Sequence, residues 1–119
     1  MLCWLDIIFR LGAATLTGSL IGIYLDLRQK PAGMRTLGPV ALASAAAVLA
    51  ADYLDVDATR VIQGVIVGVG FLGTGVILKR EQGQAGRGLP TAATIWLTAS
   101  LGVLCGLAAW SICEVAAVV

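Results

Sequence analysis

Residues 61–78 read VIQGVIVGVGFLGTGVIL, eighteen positions that include five glycines and no charged side chain. A helix of a soluble protein carries charged residues on its outer face. A segment surrounded by lipid must instead be apolar on every side and pair its backbone groups internally, as a helix does. This stretch therefore predicts a helix that crosses a membrane.

Three further windows of the chain also lack charge: residues 11–25, 36–51 and 88–113. A span needs roughly 20 residues, so the first window is long enough only if it takes in Asp6 and Arg10. These two residues lie four positions apart on one helical face, where they can pair with each other or reach the membrane interface. The first span is therefore expected to carry a charged pair near its start.

The C-terminal apolar stretch, from Gly88 to Val119, is too long for one span and too short for two. We expect the fourth helix to turn between Gly106 and Trp110, and the remainder to form an incomplete fifth helix that holds Glu114. The predicted fold class is all-α: a polytopic transmembrane helical bundle with four spans plus an incomplete fifth helix at the C-terminus. Residues 1–119 are expected to form a single domain.

Composition excludes several classes of function. Of 119 residues 59% are hydrophobic and 13% are charged, and the net charge of +1 gives no reason to expect a nucleic-acid partner. The chain has no histidine and no G-x-x-x-x-G-K-[ST] motif, so imidazole chemistry and P-loop nucleotide hydrolysis are unavailable. Its cysteines, at 3, 105 and 113, lack metal-site spacing and are expected to pack as small apolar residues. We predict no enzymatic activity and no cofactor.

The charged loops alternate in sign. The loops after the first and third predicted spans are basic, with Arg28, Lys30 and Arg35 against Asp26, and with Lys79, Arg80 and Arg87 against Glu81. The loop between them is acidic, with Asp52, Asp55 and Asp57 against Arg60. By the positive-inside rule, residues 26–36 and 79–90 lie in the cytoplasm and the N-terminus lies outside.

Small residues recur at four-residue spacing and so form flat helix faces. The predicted packing positions are Ala14, Gly18, Gly22, Gly64, Gly68, Gly102 and Gly106. Lipid gives helices no hydrophobic reason to associate, so close backbone approach through small residues supplies the contacts. We favour helix packing over a pore lining for these faces.

Four aspartates are weak candidates for a metal site: Asp26, Asp52, Asp55 and Asp57. Carboxylate oxygens are the ligands that Mg²⁺ and Ca²⁺ prefer. Their spacing matches no defined coordination loop, so a solvated acidic loop is the favoured interpretation of the last three. Mg²⁺ is the ligand we consider for these positions.

Two glycine-rich runs resemble a known family: VGVGFLGTGVIL, residues 67–78, and GLPTAATIWLTASLG, residues 88–102. They resemble the G-I-G-F-L-G-A-G and G-L-T-T-A-A-T-x-W-x-T-A-x-x-G runs of the MgtC/SapB family, and AGMRT at residues 32–36 resembles its A-G-L-R-T loop. The positions that match the family motifs are Gly22, Gly33, Arg35, Thr36, Gly68, Gly70, Phe71, Gly73, Gly75, Gly88, Thr91, Thr94 and Trp96. The whole chain thus resembles one MgtC-like transmembrane domain.

Arg35 allows two interpretations. A basic residue just before a span is typical of a positive-inside anchor. The resemblance gives it a fixed place beside Gly33 and Thr36, which implies a specific loop contact, with Asp26 as the candidate partner.

The resemblance implies a multi-pass protein of the bacterial inner (plasma) membrane, linked to Mg²⁺ homeostasis, to adaptation to low magnesium and to virulence. It further implies action on a membrane partner such as the F-type ATP synthase. The expected partners are the lipid bilayer and either a second copy of the chain in a homo-oligomer or another membrane protein.

The alternative function is a Mg²⁺ or other cation transporter or channel. Its path would be lined by the glycine run and by the hydroxyls of Thr74, Thr91, Thr94 and Thr98. A small multidrug exporter is less favoured, because proton coupling needs a carboxylate in mid-membrane, whereas Asp6, Asp26 and Glu114 all lie near the ends of the predicted spans.

Overall fold

The computed structural model of the protein describes residues 4–28, 33–79, 88–108 and 111–112, with the backbone alone at residues 76–79, 88 and 89. These residues form four α-helices and no β-strand. The helices are α1 (Trp4–Leu27), α2 (Met34–Tyr53), α3 (Thr59–Lys79) and α4 (Gly88–Gly106). The all-α class expected from the sequence is therefore confirmed.

The fourth helix ends where the sequence predicts a turn. α4 ends at Gly106, and the N–H of Leu107 still donates to the carbonyl of Val103 at 3.0 Å. Ala108 then adopts φ 59°, the left-handed region, which breaks the helical path. Residues 111 and 112 are helical again. The rest of the predicted fifth helix, including Glu114, lies outside the described residues.

α1 and α2 are long and apolar enough to cross a bilayer, judged by length and composition. Two shorter apolar helical segments, Thr59–Gly75 and Pro90–Gly106, accompany them. Many large apolar side chains of the bundle are exposed, among them Trp4 at 81% and Phe71 at 80%. A water-facing surface does not tolerate a continuous apolar exterior of this kind, whereas lipid does.

The helices run alternately up and down. Gly22 of α1 lies against Met34 at the start of α2, while Gly102 of α4 lies against Ala41 of α2, so α1 is antiparallel and α4 parallel to α2. α3 runs antiparallel to α4, since Gly73 lies against Ala92. The starts of α2 and α4 therefore share one end of the bundle, which we call the motif end. The opposite end holds Asp52, in the last turn of α2, and Asp55 and Asp57, between α2 and α3, and is called the acidic end. Asp52 was expected in the loop, but α2 extends past it to Tyr53.

Close backbone contacts join α1, α2 and α4. A Cβ built at Gly18 would lie 2.8 Å from the Cβ of Ala41, and a Cβ at Gly106 would lie 2.9 Å from the carbonyl oxygen of Ala45. Gly22 and Gly102 are equally crowded by the backbone of α2. Around these crossings lies a buried cluster of small and medium side chains: Ala14, Ala41, Ala45, Leu101 and Cys105. Glycine is needed here because the two backbones occupy the space of a side chain.

α3 packs differently. Its buried face carries Val69, which joins a cluster with Leu25, Leu37, Ile95 and Ala99. Gly64 and Gly68 were expected to be packing positions, yet nothing among the described residues lies within 4 Å of a Cβ built at either. They line instead an apolar groove of about 360 Å³ between α2 and α3.

Candidate functional site

The motif positions of the sequence gather mainly at the motif end of the bundle. Each helix contributes to this end. Gly22 lies in the last turns of α1, and Gly33, Arg35 and Thr36 lie at the start of α2. Gly73 and Gly75 lie in the second half of α3, and Gly88, Thr91 and Thr94 lie at the start of α4. The other motif positions, Gly68, Gly70, Phe71 and Trp96, lie nearer the middle of α3 and α4. Motifs far apart in the sequence therefore meet at one end of the fold.

A carboxylate from α1 caps the start of α2. The backbone N–H of Met34 donates to Asp26 Oδ2 at 3.1 Å, and the N-cap residue, Gly33, makes no side-chain cap of its own. The negative charge of Asp26 also lies at the positive end of the α2 dipole, which stabilises it. Gly33 is needed at this position because a Cβ there would overlap the Asp26 carboxylate. The AGMRT motif thus encodes a close contact between two helices.

The partner expected for Asp26 was Arg35. The ion pairs of the described residues do not join these two side chains, and Asp26 bonds the backbone of Met34 instead. The reason is geometric: the start of α2 presents an unpaired N–H directly to the carboxylate, while Arg35 is exposed. Sequence reasoning missed this cap, and the acidic residue at the end of α1 was the only signal for it.

We predict that Gly33→Ala and Asp26→Ala remove the same interaction. Each is expected to lower the free energy of unfolding by about 1 kcal/mol, the usual value of a helix cap. The double variant should lose little more free energy of unfolding than the more destabilised single variant. The reason is that both substitutions break the same hydrogen bond, from the N–H of Met34 to Asp26. Chemical unfolding of the purified protein in detergent measures this cycle, with Gly64→Ala as the control at an open glycine. Fully additive losses would contradict the shared contact.

Most hydroxyl groups of α3 and α4 bond to their own helix. Thr74 donates to the carbonyl of Gly70 at 2.9 Å, Thr94 to Pro90 at 3.0 Å and Thr98 to Thr94 at 2.8 Å. Thr74 is exposed, whereas Thr98 is fully buried. The hydroxyl protons of these threonines are therefore used in hydrogen bonds, and only the oxygen lone pairs remain to interact with a cation.

Thr91 is the exception. Its side chain is buried, at 1% exposed, and its Oγ1 has no hydrogen-bond partner among the residues that the structure describes. The other threonines of α4 bond to the carbonyl four residues back. For Thr91 that residue precedes the first residue of the helix, Gly88. A motif position thus presents an unsatisfied polar atom at the motif end.

The acidic end contains a polar cavity of about 410 Å³. Arg10, Asp52 and Asp57 contribute to its lining, whereas Asp26 belongs to the opposite end of the bundle. The four weak metal candidates are thus divided between two ends. Among the described residues no three side chains of His, Cys, Asp or Glu lie together as a metal-ligand group. The described geometry gives these aspartates no defined coordination shell.

Arg10 ties two helices together at the acidic end. Its Nη2 lies 3.0 Å from Asp6 Oδ2, its Nε donates to Asp6 Oδ1 at 3.2 Å, and its Nη1 donates to the carbonyl of Gly106 at 3.0 Å. The pairing of Asp6 with Arg10 that the sequence allows is therefore confirmed. The bond to Gly106 satisfies one of the free carbonyls at the end of α4 and joins α1 to that helix.

Asp57 caps the start of α3. Its Oδ1 accepts the backbone N–H of Thr59 at 3.0 Å. This bond, with a second from the Thr59 side chain, lowers the pKa of the exposed Asp57 carboxyl below its ordinary value of 3.8. Since hydrogen bonds favour the charged form, the stabilisation is present above pH 3.8 and is lost as the pH falls through the lowered pKa.

We predict that Thr59→Pro brings the pKa of Asp57 back toward 3.8. Proline is tolerated at the first helical position and removes both hydrogen-bond donors of Thr59. The carboxyl carbon shift of Asp57, followed by NMR between pH 2 and 6, measures the pKa in both proteins. A midpoint that is the same in the parent and the variant would refute this account of the cap.

The chain is similar to known proteins over most of its length. The model of the MgtC family matches residues 11–119. Protein SrpB of Synechococcus elongatus is 42% identical over 123 residues, which cover 92% of this chain and 68% of that protein. Protein MgtC of Salmonella typhimurium is 45% identical over 101 residues, covering 84% of this chain and 43% of that protein. Protein MgtC of Brucella abortus is 44% identical over 98 residues, covering 81% and 40%.

This chain therefore spans less than half the length of these MgtC proteins and about two thirds of SrpB. No solved structure matches it. The family match covers both glycine-rich runs and the loop that precedes α2. The resemblance that the motifs indicate is confirmed: the chain belongs to the MgtC family, whose members are membrane proteins.

Proposed function

We propose that this chain is a multi-pass protein of the bacterial inner membrane that serves Mg²⁺ homeostasis during adaptation to low magnesium. In this proposal all four helices cross the bilayer, the N-terminus lies outside, and residues 26–36 and 79–90 lie in the cytoplasm. The chain has no catalytic activity and acts by binding and regulating a membrane partner, for which the F-type ATP synthase is the first candidate.

One observation carries the choice of a regulator over a transporter. The crossings of α1, α2 and α4 are filled by backbone and by small apolar side chains, and the residues of the buried clusters carry no charge. The charged residues described in α1 and α2, such as Arg10 and Asp26, lie near the helix ends. A path that carries or couples ions needs ionisable groups in mid-membrane. The buried polar side chains in the middle of α2 and α4, Ser44 and Thr98, carry no charge and already donate to carbonyls of their own helices. The packing of this chain therefore favours a protein that binds a membrane partner over a transporter.

The exposed face of α3 supplies a surface for such docking. Gly64, Gly68, Gly70 and Gly75 are all open, and Phe71 is exposed beside them. Small residues allow a second helix to approach the backbone closely, and the aromatic ring offers a large apolar contact. Either a second copy of the chain or a helix of another membrane protein fits this surface.

Two assays on the same protein test the proposal. ATP-driven acidification of inverted bacterial membrane vesicles is expected to slow when the chain is co-expressed, because the partner is inhibited. Purified protein in liposomes is expected to give no Mg²⁺ uptake above that of empty liposomes. Normal acidification together with rapid Mg²⁺ uptake would overturn the regulatory function.

One observation favours the alternative, cation transport. Gly64 and Gly68 leave the backbone of α3 without side-chain cover where it lines the α2–α3 groove, and backbone carbonyl oxygens can bind cations without a formal charge. On this alternative Gly70→Leu and Gly75→Leu abolish flux while the protein still folds, since both positions have open space. Unchanged flux in the folded variants would exclude a path along this face.

A further inference from the structure

A buried hydroxyl without a partner lies in the first turn of α4. Thr91 is 1% exposed, and its Oγ1 makes no hydrogen bond within the described part of the chain. Leaving a buried donor unsatisfied costs about 1–3 kcal/mol, so native structures rarely keep one without a bound water, ion or ligand. Pro90, the preceding residue, is exposed. The unsatisfied hydroxyl is therefore next to the surface of the bundle.

The first turn of α4 provides further donors at the same place. The N–H groups of the first three residues of a helix have no partner within it, and in α4 residues 88 and 89 carry such groups because Pro90 has none. The N–H of the fourth residue is already bonded, as Leu37 to Gly33 in α2 and Ile62 to Ala58 in α3 show. Side chains of a helix tilt toward its N-terminus, so the Thr91 side chain leans toward this end. The Thr91 hydroxyl and the backbone donors of residues 88 and 89 thus lie in the same turn of α4.

The electrostatics of the motif end favour an anion at that point. α2 and α4 are parallel and adjacent, so their positive dipole ends lie on the same side of the bundle. The start of α2 already receives a carboxylate oxygen, Asp26 Oδ2, on the N–H of Met34. That contact shows which chemistry a helix start attracts in this fold. The start of α4 carries instead the unpaired hydroxyl of Thr91.

We propose that the first turn of α4, with Thr91 Oγ1 as its side-chain donor, binds the oxyanion of a phosphate group. The phosphate oxygens accept hydrogen bonds from the hydroxyl and from the backbone N–H groups, as anions do at other helix N-termini. The phosphate belongs either to a lipid headgroup or to free phosphate in solution, because both present the same oxygens. This site is separate from the α3 face and does not depend on the proposed regulatory function.

Thermal unfolding of the purified full chain tests the site. One arm adds inorganic phosphate at constant ionic strength in neutral detergent, and the other compares phosphatidylcholine nanodiscs with and without phosphatidic acid. The parent protein is expected to gain stability in at least one arm, and the arm that responds identifies the source of the phosphate. No gain in either arm would overturn the proposal.

Three variants give the test its specificity. Thr91→Val removes the hydroxyl at nearly constant volume, and it should raise the phosphate needed for half-maximal stabilisation by about tenfold or more, as loss of a hydrogen bond to a charged group does. Thr91→Ser keeps a hydroxyl and should retain the response. Thr94→Val is the matched control, because the Thr94 hydroxyl already bonds to Pro90. An equal response in Thr91→Val and Thr94→Val would contradict the site.

A further result separates a ligand from a simple packing defect. Without phosphate, Thr91→Val should be at least as stable as the parent protein, because it removes an unsatisfied buried polar atom. A less stable Thr91→Val that responds normally to phosphate would show a structural role only, and would refute the site. If the valine variant fails to fold, ³¹P NMR line broadening decides: the parent and Thr91→Ser should broaden the phosphate signal, and its absence in both would refute the site.

Discussion

Gly102→Leu is expected to abolish the folded bundle. A Cβ at residue 102 would lie 2.9 Å from the Cα of Ala41 and would overlap the carbonyl oxygen of the same residue. Backbone cannot rotate aside as a side chain can, so α2 and α4 would have to separate. Their separation would also pull Ala41 and Ala45 out of the cluster that they form with α1. We expect a loss of about 3 kcal/mol or more, at the upper end of overpacking effects.

Gly70→Leu is the matched control for this prediction. It adds the same side chain to a glycine that has nothing within 4 Å of a built Cβ among the described residues. Size-exclusion chromatography and unfolding in a graded detergent mixture measure both variants. Gly70→Leu should remain monodisperse, with a midpoint near that of the parent. A stable Gly102→Leu would mean that α2 and α4 do not approach as closely as this fold requires.

Arg10→Leu is expected to give the second largest loss of stability. The Arg10 side chain is only 16% exposed and bonds both Asp6 and the carbonyl of Gly106. Its removal leaves a carboxylate and a helix C-terminal carbonyl without their partner. Asp6 is 39% exposed, so water replaces part of the lost interaction. We therefore expect about 2 kcal/mol, near the middle of the range for charged hydrogen bonds.

Arg60→Leu serves as the control, because Arg60 is an exposed arginine near the same end of the bundle. Chemical unfolding of both variants and of Asp6→Asn measures the effect. The Arg10→Leu loss should shrink when Asp6→Asn is already present, since the uncompensated carboxylate is then gone. Equal losses of stability for Arg10→Leu and Arg60→Leu would show that the change of net charge, and not the contacts of Arg10 with Asp6 and Gly106, determines stability.

The sequence predicted the elements that depend on local pattern. The uncharged windows lie within or largely overlap the helices, and the first helix extends back to Trp4 to include Asp6 and Arg10, as the length of a span requires. α4 ends at Gly106, at the start of the predicted turn. These features follow from hydropathy, helix length and glycine placement, all of which can be determined from residues that are close together in the sequence.

Contacts between distant segments could not be predicted in this way. The bond from Arg10 to Gly106 joins residues 96 positions apart, and the cap of α2 comes from Asp26 on another helix. Glycine spacing marks where a backbone can be approached but does not identify the neighbour. Gly18 and Gly102 meet helices of this chain, whereas Gly64, in a similar pattern, faces a groove. Only the arrangement of the helices separates these cases.

The central claim is that the helix bundle crosses the membrane. The most direct test measures on which side of the membrane each end of the bundle lies. In a variant with Ala at residues 3, 105 and 113, single cysteines are introduced as Gln29→Cys, between α1 and α2 in the sequence, and as Val56→Cys, at the acidic end. Intact cells are then treated with a membrane-impermeant maleimide. The account predicts that Val56→Cys is labelled at once and Gln29→Cys only after the membrane is permeabilised. Labelling of both positions from the same side would contradict a bundle that crosses the bilayer between its two ends.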